Sequence, residues 1–228
     1  MSSARIWSAI GLTAFALAAS HAALAAPIVV YDNTATATTG SWAPYGFRGF
    51  WHFSPDPIGD QITLLAGTDR TITEFHLLLS STAETTLSSL TLSFYKNDGL
   101  DSNLNPGAPG TQLWTTTVND VLVNGPITVV FGVPNVIVPD TFTWMAGAES
   151  DVAGLATYNS PTIGSSDDTY WDRDSFDGEW YRQWLAGDPV ANFGARVLAI
   201  PEPAMMSLLV LGGLAIAWRK RYGTRTVQ

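Results

Sequence analysis

The residues with the richest chemistry lie in one run, SSDDTYWDRDSFDGEWYRQW, from Ser165 to Trp184. It interleaves six carboxylates, Asp167, Asp168, Asp172, Asp174, Asp177 and Glu179, with Tyr170, Trp171, Phe176, Trp180, Tyr181 and Trp184. Three chemistries fit such a mixture. Flat aromatic faces with oriented polar groups suit a sugar ring, which makes Tyr170, Trp171, Trp180, Tyr181, Arg182 and Trp184 the candidate carbohydrate contacts. Two carboxylates about 5–10 Å apart could instead hydrolyse a glycosidic bond, yet nothing in the linear sequence picks out a pair. Carboxylate oxygens also suit a hard cation, with Asp172, Asp174 and Asp177 as candidate calcium ligands. Their spacing departs from the EF-hand, because Phe176 stands where an oxygen ligand should. The plain alternative is a solvated acidic loop with its aromatics tucked into the end of the domain. The Asn97 to Gly110 segment, with Asp98, Asp101, Asn103 and Asn105, reads mainly as turn chemistry, with calcium as the second reading.

Other catalytic signatures are missing. The mature span holds two histidines, His52 and His76, both in strand-like surroundings that read as structural. There is no Gly-x-Ser-x-Gly elbow and no phosphate-cradling glycine loop. With no cysteine in the chain, thiol catalysis and disulfides are excluded. The expectation is therefore a protein that is not an enzyme, with a glycan hydrolase using carboxylates of 165–184 as the rival. No cofactor is expected beyond a candidate calcium ion.

What positions that run is a strand-rich body. In LSSLTLSFY, Leu90, Leu92 and Phe94 alternate with Thr91, Ser93 and Tyr95, the pattern of a half-buried strand. The same period places Thr73, Phe75, Leu77 and Leu79 on one side, then Ile127, Val129, Phe131 and Val133, then Phe193, Ala195, Val197 and Ala199. Turn signals separate the runs: Asn97-Asp98-Gly99, Pro106-Gly107, Pro109-Gly110, Asn124-Gly125-Pro126 and Pro139-Asp140. Many short strands so divided predict an all-β, antiparallel β-sandwich or jelly roll over residues 27–200. Trp42, Trp51, Trp114 and Trp144 read as core or edge packing, and Asp32-Asn33 through Gly40 as an exposed loop.

The two ends differ from the body. Between Pro27 and Ile200, nineteen acidic residues stand against six basic ones, a net of −13. Such a body would be repelled by phosphate backbones, so nucleic acid is not an expected partner. Arg5, the apolar stretch Ile6 to Ala19 and the small-x-small pattern Ala23-Leu24-Ala25 predict a signal peptide over 1–26, cut by signal peptidase. At the other end, Pro201-Glu202-Pro203 resists helix. The apolar run 204–218 follows, then Arg219-Lys220-Arg221. As a helix that run would reach about 22 Å, short of the roughly 30 Å hydrocarbon core. Its basic cluster would stay on the cytoplasmic side. The pattern predicts a transmembrane helix over 204–218, with a tag just outside the membrane and a short tail over 224–228.

Pro201, Glu202 and Pro203, the apolar segment with Gly212-Gly213, and Arg219, Lys220 and Arg221 resemble, in that order, the PEP-CTERM sorting signal. The resemblance covers 201–223 and implies an exosortase, a membrane-embedded transpeptidase-like enzyme of Gram-negative bacteria, as processing partner. It implies a membrane-anchored precursor, then release to the cell surface or extracellular polysaccharide matrix. Tyr222 to Gln228 continue past the basic cluster, where the family usually stops sooner, so an ordinary single-pass anchor is the alternative. In the body, IGDQITLLAGTDRTITEF, FYKNDGLDSNLNPGAPGTQLW and DPVANFGARV resemble a recurrent β-sandwich group carried by PEP-CTERM proteins. That group has no established activity, so this likeness implies fold alone.

Overall fold

The period-two alternation is realised as long antiparallel strands. In a computed structural model that describes residues 26–35, 45–46, 56–66, 70–174, 177–184 and 192–200, every regular element is a strand. In chain order they are β1 (Ile28–Asp32), β2 (Tyr45–Gly46), β3 (Ile58–Thr63), β4 (Thr71–Ser81), β5 (Thr85–Lys96), β6 (Gly99–Leu100), β7 (Pro106–Ala108) and β8 (Gln112–Val123). There follow β9 (Ile127–Ile137), β10 (Thr141–Ala148), β11 (Ala153–Leu155), β12 (Thr157–Tyr158), β13 (Ser165–Arg173), β14 (Trp180–Trp184), β15 (Asn192–Phe193) and β16 (Ala195–Ile200). All pairings are antiparallel, as short turns between successive strands require.

Two six-stranded sheets carry the fold. One runs β14-β13-β3-β10-β5-β8. The other runs β1-β16-β4-β11-β2, with β9 also on β4. Because β16 and β9 both pair with residues 71–77 of β4, they occupy its opposite edges. β11 takes over from β16 further along β4, at Leu79 to Ser81. Two short ladders, β12-β15 and β6-β7, complete the set.

The inward residues of both sheets meet in one core. Phe75 of β4 contacts Phe94 of β5 and Trp144 of β10, each with ring centroids 5.4 Å apart. Phe142 closes edge-on against Phe94 at 5.3 Å. Such tilted aromatic pairs add about 0.5–1.5 kcal/mol each beyond their buried area. Leu87, Leu90 and Leu92 from one sheet and Leu77, Leu79 and Val197 from the other are fully buried in the same cluster. The expected inward sets on β5 and on β15–β16 thus hold, with Phe131 and Val133 as the buried part of β9. On β4, Phe75, Leu77 and Leu79 are buried, but Ile72, not Thr73, fills the core where the register with β9 shifts. Among the connections that carry the chain between the sheets are the turns after Ser81 and after Val123. They brace each other: Gly125 N donates to Ser81 Oγ at 3.0 Å, and Asn124 Nδ2 to Glu84 Oε2 at 2.9 Å. Gly125 holds φ +67°, a conformation a side chain would strain.

One expectation is corrected. Asn33, read as the start of an exposed loop, is 1% exposed. Its amide donates to Phe193 O and accepts from Ala195 N, both at 2.8 Å, so it stitches the end of β1 to the β15–β16 junction. A polar residue is buried there because both its hydrogen-bonding ends are satisfied. Residues 36–40, Trp42, Trp51, His52 and the end segments 1–25 and 201–228 lie outside the described residues. The expected signal peptide and transmembrane helix fall almost wholly within those end segments. Among the described residues no helix is long and apolar enough to cross a membrane.

Candidate functional site

The run read from sequence as a loop is a β-hairpin. β13 and β14 pair from Thr169↔Trp184 to Arg173↔Trp180, at one edge of the first sheet. The turn is closed by backbone bonds, Gly178 N to Asp174 O at 2.8 Å and Asp174 N to Glu179 O at 3.1 Å. Strand alternation then sorts the aromatics. Tyr170 faces the core, 3% exposed, its ring edge-on to Phe193 at 5.6 Å. Trp171 and Trp180 face the other way and are covered. With Ala108 and Met145 they form a second apolar cluster, against which Tyr95 packs edge-on to Trp180 at 5.4 Å.

The cover comes from the Asn97–Gly110 segment, which sequence treats as separate. Ser102 N donates to Trp180 O at 2.9 Å, tying the two stretches together, and Ala108 completes the cluster. Asp101 organises this segment: Oδ1 accepts from Asn103 N and Asn105 N, each at 2.8 Å, and Oδ2 from Asn105 Nδ2 at 3.0 Å. Asp98 accepts from Thr111 N at 2.6 Å and from its hydroxyl at 2.8 Å. These donors hold both carboxyls below the usual range, Thr111 chiefly for Asp98 and Asn105 chiefly for Asp101.

The exposed part of the site is narrower. Trp184 is 68% exposed, the one exposed tryptophan among the described residues. One pair back along β14, Arg182 bonds Asp167 Oδ2 and Thr169 Oγ1, both at 2.9 Å, and its guanidinium stands 6.0 Å from the Trp171 ring centroid. Arg173 lies 5.2 Å from the Trp180 ring. Tyr181 donates to Asp177 Oδ2 at 3.0 Å, and that bond, favouring the protonated phenol, raises its pKa. Of the six candidate carbohydrate contacts, then, Tyr181, Arg182 and Trp184 reach the surface, while Tyr170, Trp171 and Trp180 are buried.

The candidate calcium residues are split. Asp172 and Asp174 are 6% and 5% exposed, whereas Asp177 is exposed and uses its oxygens on Glu179 N and Tyr181 OH. Among the described residues, no three carboxylate or imidazole side chains converge to hold a metal ion. His76 pairs with Glu74 on its own strand.

Sequence reasoning missed Asp60. It is fully buried on the inward side of β3, opposite Trp144 and Tyr170. Burial pushes its carboxyl well above the ordinary value, against the pull of the Phe193 and Gln61 amides. Those amides point toward it, but neither oxygen completes a hydrogen bond of ordinary geometry among the described residues. The signal was there in Ile58-Asp60-Ile62, an acid on the apolar side of an alternating strand.

The described residues thus form an all-β, antiparallel body with one open aromatic, Trp184, at a sheet edge. Residues 199–221 match the PEP-CTERM protein-sorting motif. The motif implies an exported, membrane-associated precursor handled by an exosortase-like system. No curated protein and no solved structure matches the chain.

Proposed function

We propose that the body is a non-catalytic β-sandwich, delivered by the sorting motif to the cell surface or matrix of a Gram-negative bacterium, that makes weak contact with extracellular polysaccharide through the β14 edge. In this reading the chain begins with a cleaved signal peptide, spans the membrane through 204–218, and is processed at the tag centred on Glu202. The observation that carries the contact is Trp184: a large aromatic face left open beside an Arg182–Asp167–Thr169 network. An open indole offers an apolar platform, and the polar groups beside it supply oriented hydrogen bonds to hydroxyls.

The test is retention of the full-length protein on polysaccharide from a producing bacterium. Trp184→Ala is expected to weaken binding about tenfold, which corresponds to ~1.4 kcal/mol. Equal retention by the variant would remove this edge from consideration. For the tail, Glu202→Ala is expected to leave the precursor unprocessed in the membrane fraction. Unchanged release would point to an ordinary anchor or to another route.

A further inference from the structure

A group of polar side chains lies inside the body, around the buried Asp60. On its own sheet Asp60 stands directly opposite Trp144 of β10 on one side and Tyr170 of β13 on the other. Directly opposed residues keep their Cβ atoms about 4.5–5.5 Å apart, so the carboxyl lies between two aromatic side chains. Phe193 closes over it from β15. Its ring meets Tyr170 at 5.6 Å and Trp144 at 6.3 Å, both edge-on, and its backbone amide points at the carboxyl. Asn192, the residue before Phe193, is thereby brought to the same place and is 1% exposed.

The Asn192 carboxamide has a fixed orientation. Tyr31 of β1 donates to Ser166 Oγ at 3.3 Å, which leaves the Ser166 proton for Asn192 Oδ1. Nδ2 therefore points away from Ser166. Ser166 pairs with Ile62, the next inward residue of β3 after Asp60, so this contact sits one step along the strand from the carboxyl. Burial first, then the Asp60 charge, push the Tyr31 phenol up, which sets Tyr31 beside the same carboxyl.

Three members of this group are buried without a hydrogen-bond partner among the described residues: both oxygens of Asp60, Asn192 Nδ2 and Trp144 Nε1. Their chemistry selects what would complete them. A metal cation would suit Asp60 but would face the hydrogens of two N–H donors. An anion would suit those donors but leave the acceptor lone pairs of the carboxyl unmet. An apolar solute would complete none of them. Water both accepts and donates, and two to four polar partners are what hold a buried water in place.

We infer that one internal water molecule binds between Asp60, Asn192 and Trp144. It accepts from Asn192 Nδ2 and Trp144 Nε1 and donates to the Asp60 carboxyl. Asp60 and Trp144 belong to the first sheet, whereas Asn192 lies just ahead of β16 in the second. The water is thus a polar rivet between the two sheets, set in a core that is otherwise aromatic and aliphatic.

The test is a crystal structure of the full-length protein, grown from detergent, at a resolution that shows ordered water. The expected result is one density peak within about 2.7–3.2 Å of an Asp60 oxygen, Asn192 Nδ2 and Trp144 Nε1 together. Asp60 bonded directly to Nδ2 or Nε1, with no peak between them, would overturn the inference. A peak that misses any of the three groups would overturn it as well. So would one ringed by oxygens at about 2.3–2.6 Å, which marks a calcium ion.

Discussion

Asp60 and Gly59, neighbours on β3, test the core at the scale of single residues. A carboxyl whose folded-state pKa is raised stabilises the fold most when protonated. Its contribution is complete below the ordinary value of 3.8 and is lost as pH rises from there toward the folded pKa. The thermal midpoint is therefore expected to fall across that interval, and Asp60→Asn to flatten the slope. A melt series of both proteins from acid to neutral pH checks this, and parallel slopes would contradict it. Asp98 and Asp101 act in the opposite sense, their contribution being lost as pH falls through their lowered values, but both are held by donors near the surface. Gly59 faces a different constraint, since a Cβ there would meet the Trp144 carbonyl well inside van der Waals contact. Gly59→Ala is expected to destabilise by about 1–3 kcal/mol, measurable by urea unfolding. Asp60 left a trace in sequence, between Ile58 and Ile62, but Gly59 did not, because a register that brings β10 so close belongs to tertiary pairing, not to local pattern.

At the scale of elements, the hairpin separates packing from contact. Trp171→Ala is expected to destabilise by about 3–5 kcal/mol, as removal of a buried aromatic does. Trp184→Ala should alter stability by no more than about 0.5 kcal/mol while changing polysaccharide retention. A double substitution of Trp171 and Trp180 would dissolve the outer cluster and so could not report on binding. The open edges form a second case. β8 and β9 border the two sheets, and long unpaired edges invite pairing with other chains. β9 is interrupted where its register with β4 shifts past Val133-Pro134-Asn135, with Asn135 at φ 54°. Pro134 adds a position that cannot donate to a ladder. Replacing Pro134 with Val is expected to increase self-association in size-exclusion chromatography. The strands themselves were readable from alternation, as Leu90, Leu92 and Phe94 show. The pairing of the Asn97–Gly110 segment with the hairpin was not, since Ser102 and Trp180 are far apart in sequence and joined only by backbone.

For the whole molecule, sequence pattern carried the all-β class and the sorting motif, because both rest on short-range order: alternation for one, a fixed succession of tag, apolar run and basic cluster for the other. The candidate site was legible in composition but not in orientation. Six aromatic and basic residues of one run look equivalent in a line. Pairing with β3 and β14 turns Tyr170 to one core, Trp171 and Trp180 to another, and leaves Trp184 outside. The first strand also pairs with the last, Ile28 with Ala199, and β16 lies between β1 and β4. This imposes an order in time. A chain exported from its N-terminus delivers β1 first and β16 last, so β1 has no neighbour in its sheet until the final residues before Pro201 have emerged. Such long-range closure is slow. The sorting tail follows directly after the strand that finishes the sheet, so a tail held in the membrane would keep the precursor at the exit site while its body closes.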